Sequence, residues 1–148
     1  MTETGLTHVD AAGHARMVDV SGKDVTARSA RASGRVLLSA EAVAALRAGT
    51  VPKGDALAVA RIAGIAGAKR TPDLIPLCHQ IGLHGVSVEA TVTDSGVELA
   101  AVARTADRTG VEMEALTAVA VAGLALIDRK STRLNSSHIT RSRMPSSA

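Results

Sequence analysis

The segment "HGVSVEATVTDSGVELAAVART", residues 84–105, decides the fold. Two runs of alternating apolar and polar residues flank Asp94-Ser95-Gly96. Successive side chains of a strand point to opposite faces, so each run has one apolar face, and a short turn of type I′-like chemistry joins the runs as antiparallel neighbours. Upstream, "TARSARASGRVLLS" alternates in the same way and predicts a long strand at about 25–38, while "ARMVDVS" predicts a shorter one at about 15–20. Between these strands and the hairpin the period changes. Ser39 is placed to cap a short helix, "AEAVAALRAG", ended by Gly49, and Asp55 to cap a second, "ALAVARIAGIAGAKR". Pro72 and Pro76 stiffen an extended segment, and Thr109 and Glu112 stand at capping-box spacing before a last helix, "TGVEMEALTAVAVAGLALI". The order ββααββα, with antiparallel pairing, points to an α+β sandwich with its helices on one face of the sheet.

The 148 residues suit one domain, and 46% apolar content can build one core. Phe, Tyr and Trp are absent, so Ala, Val, Leu and Ile must fill that core. Little burial per chain then favours a homo-oligomer. Cys78 is the only cysteine, which excludes an internal disulfide and suits a reducing, cytoplasmic setting. The longest apolar run, Ala115 to Ile127, is shorter than the ~20 residues of a membrane span. "MTETGLTHVDAAG" has neither a basic nor an apolar leader region, so no secretory signal is expected.

The net charge of +3 is unevenly placed. Residues 129–148 carry five cations and no acid, so the remainder stands at −2. A mildly acidic domain without aromatic stacking platforms argues against a nucleic-acid partner. The serine-rich stretch at 129–148 is expected to be disordered on composition.

Three polar clusters interrupt the apolar fabric. In the first, Lys69 and Arg70 have an ordinary reading as cations at a helix C-terminus, but Lys53, before a helix N-terminus, is unfavourably placed unless it meets an anion or does chemistry. The second, "TPDLIPLCHQIGLHG" at 71–85, presents Cys78 and His79. These fit a buried thiol beside a hydrogen-bonded imidazole as well as a substrate contact, and the spacing supplies no metal-ligand set. In the third, "TGVEMEA", capping accounts for Glu112 but not for Glu114. Glu114 and Asp128 fall within about 40° of one helix stripe, suggesting a proton-handling pair whose charges perturb one another.

"LTHVDAAGHARMVDVSGKDVTAR", "KGDALAVARIAGIAGAKRTPDLIPLCH" and "TGVEMEALTAVAVAGLAL" together resemble the molybdenum cofactor biosynthesis protein C family, the cyclic pyranopterin monophosphate synthases, over about residues 6–128. The resemblance implies a ferredoxin-like α+β fold and a homohexamer, built as a trimer of dimers with pockets at subunit contacts. The implied reaction is lyase chemistry converting (8S)-3′,8-cyclo-7,8-dihydroguanosine 5′-triphosphate to cyclic pyranopterin monophosphate plus diphosphate, without a metal or other cofactor. It further implies catalytic roles for Asp128 and Lys53, a pocket lined by Leu77, Cys78, His79, Met113 and Glu114 with Glu112 beside it, and phosphate contacts from Lys23, Arg28, Lys69, Arg70 and Arg104. Gln80 stands where the family has proline.

After Asp128 the likeness stops. The family continues as Asp-x-x-Lys, then a final strand; here residue 131 is Ser, and Lys130 is rotated about 100° from the lysine position. "DRKSTRLNSSHITRSRMPSSA" resembles the conceptual translation of a sequencing adapter. These features predict a domain over 1–128 without its final strand, and impaired turnover. The alternative function is a non-catalytic phosphate-ligand-binding or interaction module.

Overall fold

The computed structural model describes residues 8–51, 55–130 and 138–143. Its elements are β1 (Thr26–Leu37), α1 (Ala40–Ala48), α2 (Ala56–Ala68), α3 (Thr71–Leu74), β2 (Leu83–Thr93), β3 (Gly96–Asp107), α4 (Glu112–Lys130) and β4 (His138–Arg143). The hairpin forms as read: Thr93 faces Gly96 across a two-residue turn, and β2 and β3 pair antiparallel as far as Leu83 opposite Thr105. Local chemistry sets the helix starts. Ser39 Oγ accepts from the Ala42 N–H at 3.2 Å, and the Asp55 carboxylate accepts from the Ala58 N–H at 3.0 Å. Gly49 ends α1 in the left-handed region.

The sheet order is β2-β3-β1-β4, with each neighbouring pair antiparallel. β3 therefore lies between β1 and β2, which are joined through helices, and β1 lies between β3 and β4, which are joined through α4. Two interleaved β-α-β units of this kind make the ferredoxin-like topology.

Along each strand the faces alternate in burial. Ala30, Ala32 and Val36 of β1, Val88 and Ala90 of β2, and Val97, Leu99, Ala101 and Ala103 of β3 are buried, while Arg31, Ser33, Arg35, Ser87, Glu89 and Glu98 are exposed. Ala60, Ala68, Ala115, Ala118, Ala122 and Leu126 close the core from α2 and α4. With no rings available, the largest side chains under 2% exposed are Val36, Val97, Val111 and Thr71, so the helices must approach closely to leave no void. Two glycines permit this. A Cβ on Gly64 would stand 2.8 Å from the Ala118 carbonyl oxygen, and one on Gly67 would stand 2.7 Å from Val121 Cγ2.

The structure departs from the sequence reading at three places. Residues 15–20 form no strand; Val9 and Ala15 make an isolated bridge, and Val18 and Val20 turn their apolar side to a cleft. The stretch after Arg70 is not extended throughout, because Pro72, in the first turn where its missing N–H costs nothing, starts the single turn α3. Thr109 is not the cap of α4: the Ala115 N–H bonds to the Val111 carbonyl, so the helix begins at Glu112. α4 runs to Lys130, and His138–Arg143 pair antiparallel with β1, whose edge would otherwise present unpaired N–H and C=O groups.

Candidate active site

Three segments meet at one end of the sheet. The arm before β1 brings His8, Val18, Val20 and Lys23; the loop after α3 brings Ile75 through His79; and the approach to α4 with its first turn brings Thr109, Gly110, Glu112, Met113 and Glu114. They enclose a cleft of about 360 Å³. Leu77 adopts a left-handed backbone with φ of 62°, uncommon for a branched side chain, and this sharpens the turn that delivers Cys78 and His79. The Cys78 N–H bonds to the Ile75 carbonyl at 3.3 Å and closes that turn. His79 Nε2 meets the Val18 carbonyl oxygen. A carbonyl only accepts, so Nε2 carries a hydrogen and donates it. The same bond ties the arm to the loop.

Glu114 is 3% exposed. Burial pushes its carboxyl above the ordinary range, and the neighbouring Glu112 charge adds to the effect. The Cys78 thiol is also pushed up, first by burial and then by Glu114, so it is held as a thiol rather than a thiolate. The cleft thus combines a cation at Lys23, an acid of raised pKa at Glu114, a carboxylate at Glu112 and an oriented imidazole at His79. Such a set can hold an anion at one side while moving protons at another. A second, smaller cleft of about 220 Å³ is lined by Lys69, Pro72, Asp73 and Gln80 and shares Glu114 with the first.

Of the residues singled out in the sequence, Lys23, Leu77, Cys78, His79, Glu112, Met113 and Glu114 line the main cleft, and Lys69 the smaller one. Arg28, Arg70 and Arg104 line neither. Arg28 instead lies within β1, and its Nε is buried with no hydrogen-bond partner among the described residues. Lys53 lies outside the described residues. Asp128 is exposed near the far end of α4, fourteen residues and hence about 21 Å from Glu114 along the axis. The expected mutual perturbation of these two acids within a chain is therefore overturned by the length of the helix that carries both. His8, Val18, Val20, Thr109 and Gly110 were not foreseen; no charge or spacing marks them, and only the folding back of the arm brings the first three to the site.

The family model described as "MoaC family" matches residues 17–145. The chain belongs to the MoaC family. A protein of Streptomyces avermitilis named cyclic pyranopterin monophosphate synthase is 69% identical over 123 residues, covering 83% of this chain and 72% of its own length. A Mycobacterium tuberculosis protein named cyclic pyranopterin monophosphate synthase 2 is 57% identical over 123 residues, covering 83% and 74%. A Chloroflexus aurantiacus protein of the same name as the first is 56% identical over 125 residues, covering 83% and 77%. All three stretches on which the resemblance to this family rests supply walls of the main cleft: His8, Val18, Val20 and Lys23 come from the first, Ile75 through His79 from the second, and Thr109, Gly110, Glu112, Met113 and Glu114 from the third. Among the described residues no three His, Cys, Asp or Glu side chains group as they would around a metal ion, and no helix is long and apolar enough to cross a membrane.

Proposed function

We propose that this chain is a cyclic pyranopterin monophosphate synthase of molybdenum cofactor biosynthesis, a lyase that converts (8S)-3′,8-cyclo-7,8-dihydroguanosine 5′-triphosphate to cyclic pyranopterin monophosphate and diphosphate. The observation that carries this reading is the meeting of Leu77–His79 with Glu112–Glu114 and Lys23 in one cleft, in a chain 69% identical to a protein of that name. The reaction opens a ring and closes a cyclic phosphate, so it needs proton donors and acceptors beside a cation for phosphate oxygens. Lys23 serves as such a cation. Glu114, buried and holding its proton to higher pH than an ordinary carboxylate, serves as a donor, and the His79 ring, oriented by its bond to the Val18 carbonyl, as an acceptor. Lys53, Lys69, Arg28, Arg70 and Arg104 enter as further phosphate-holding or catalytic cations on the family resemblance.

Asp128, the proposed catalytic aspartate, lies about 21 Å from Glu114 along α4. It can act on a cleft like this one only from another subunit. A homohexamer, a trimer of dimers with clefts at subunit contacts, meets that need. The solvent-facing Ile62 of α2 and Leu124 of α4, 68% and 58% exposed, supply apolar area for such contacts. The protein is proposed to act in the cytoplasm on a small-molecule substrate. The test is to incubate the purified chain with the cyclised triphosphate and measure cyclic pyranopterin monophosphate and diphosphate. Equal release of both supports the lyase; tight binding without either product overturns it in favour of a non-catalytic phosphate-ligand module.

A further inference from the structure

Gly110 lines the cleft two residues before α4 begins. Its φ lies outside the left-handed region, so the backbone there does not demand glycine. What leaves no room for a side chain is a single group. A Cβ placed on Gly110 would stand 2.6 Å from Glu112 Cδ, well inside the 3.4 Å where ordinary contact begins, and the atoms nearest to it all belong to the Glu112 carboxylate. The carboxylate is folded back over the glycine instead of reaching out into solvent, although Glu112 is an exposed residue with a flexible side chain.

We propose that Gly110 is a positioning residue for Glu112: the space left by its missing side chain holds the Glu112 carboxylate at the cleft wall, where it selects the N–H-bearing edge of a guanine-like ring over a phosphate. A fixed carboxylate accepts two adjacent N–H donors, as the N1–H and 2-amino group of guanine present them, and repels phosphate oxygens. Lys23, which the arm brings to the same cleft, supplies the contrary preference. The two groups give the cleft a ring end and a phosphate end. This rests on the synthase reading for the identity of the ring; the placement of the carboxylate does not.

Three measurements on the full chain separate the two. First, the crystal structure of Gly110→Ala should show the Glu112 carboxylate displaced while the melting temperature stays near that of the parent, because only the end of a flexible side chain has to move. A carboxylate still over residue 110 overturns the proposal whatever the activity. Second, calorimetry with two probes reads the selectivity. GTP should bind Gly110→Ala about 10-fold more weakly, the scale of one charge-assisted hydrogen bond, while inorganic diphosphate binds unchanged or more tightly. An equal loss for both probes overturns the ring assignment. Third, Glu112→Ala should reproduce this pattern, and adding Gly110→Ala to it should change GTP affinity no further, since the two residues act as one unit. Additive losses overturn the coupling. If the parent makes no cyclic pyranopterin monophosphate while all three arms hold, the synthase reading fails and the Gly110–Glu112 arrangement stands.

Discussion

The two ends of α4 differ in how complete their surroundings are. At the first turn Glu114 is buried, faces two clefts, and has Cys78 and Glu112 close enough to perturb its proton equilibrium or be perturbed by it. At the last turn Asp128 is exposed and lines neither cleft. One rigid rod carries both acids, and its length forbids their cooperation within a chain. The N-terminal end lies in a cleft formed within one chain; under the proposed hexamer, the C-terminal end serves the cleft of another subunit.

The largest expected effect comes from breaking the C-terminal end. Asp128→Ala should lower kcat by at least about 100-fold, the usual cost of losing a positioned acid or base, with little change in melting temperature. The decisive measurement is complementation. Mixed oligomers of Asp128→Ala and His79→Ala subunits should regain turnover that neither variant has alone, because some clefts then combine an intact His79 with an intact Asp128 from a neighbour. No recovery on subunit mixing would place both groups in the service of a single chain.

Next in size is the seam that keeps the rod in place. Gly67→Leu forces a branched side chain into space that Val121 already fills, and it should destabilise the fold by about 2–3 kcal/mol in denaturant titration. The same substitution at Ile62, which points to solvent on the same helix, should cost far less in a dissociated subunit.

The N-terminal end can be probed through its proton. Because the folded-state pKa of Glu114 is raised, the folded chain binds more protons than the unfolded chain above the ordinary carboxylate range, and stability falls as pH rises through the raised value. Glu114→Gln removes that term. Its melting temperature should match the parent in acid and exceed it increasingly toward neutral pH, while its activity falls. A constant offset at every pH would show that packing, not charge burial, distinguishes the two side chains. The smallest effect is expected far from either end: Arg47 and Asp94 are 2.9 Å apart, but Asp94 is 98% exposed. Asp94→Ala should leave thermal melting unchanged within error and insensitive to salt.

Where the sequence was legible, the signal was local and close to the backbone. Ser39 and Asp55 cap the helices they precede because a short polar acceptor beside unpaired N–H groups has few other uses, and the hairpin follows from alternation on both sides of two turn residues. The stretch at 15–20 alternates just as well, yet it forms no strand. Its valines line the cleft and the Val18 carbonyl engages His79 sixty-one residues away, a contact no periodicity encodes. The same distance problem hid Lys23's neighbours. Asp128 misled for the opposite reason: helical angle places it on the stripe of Glu114, but angle carries no information about separation along the axis. Thr109 has the right spacing from Glu112 for a capping box, yet the first helical bond belongs to Val111.

A core filled only by Ala, Val, Leu and Ile also decides what the protein does to light. With no Phe, Tyr or Trp in the sequence, the chain is nearly transparent in the near-ultraviolet and has no intrinsic fluorescence of its own. Any purine or pterin entering the cleft is then the dominant chromophore in the sample, so its binding, ring opening and release are visible directly, without labels and without a protein background to subtract.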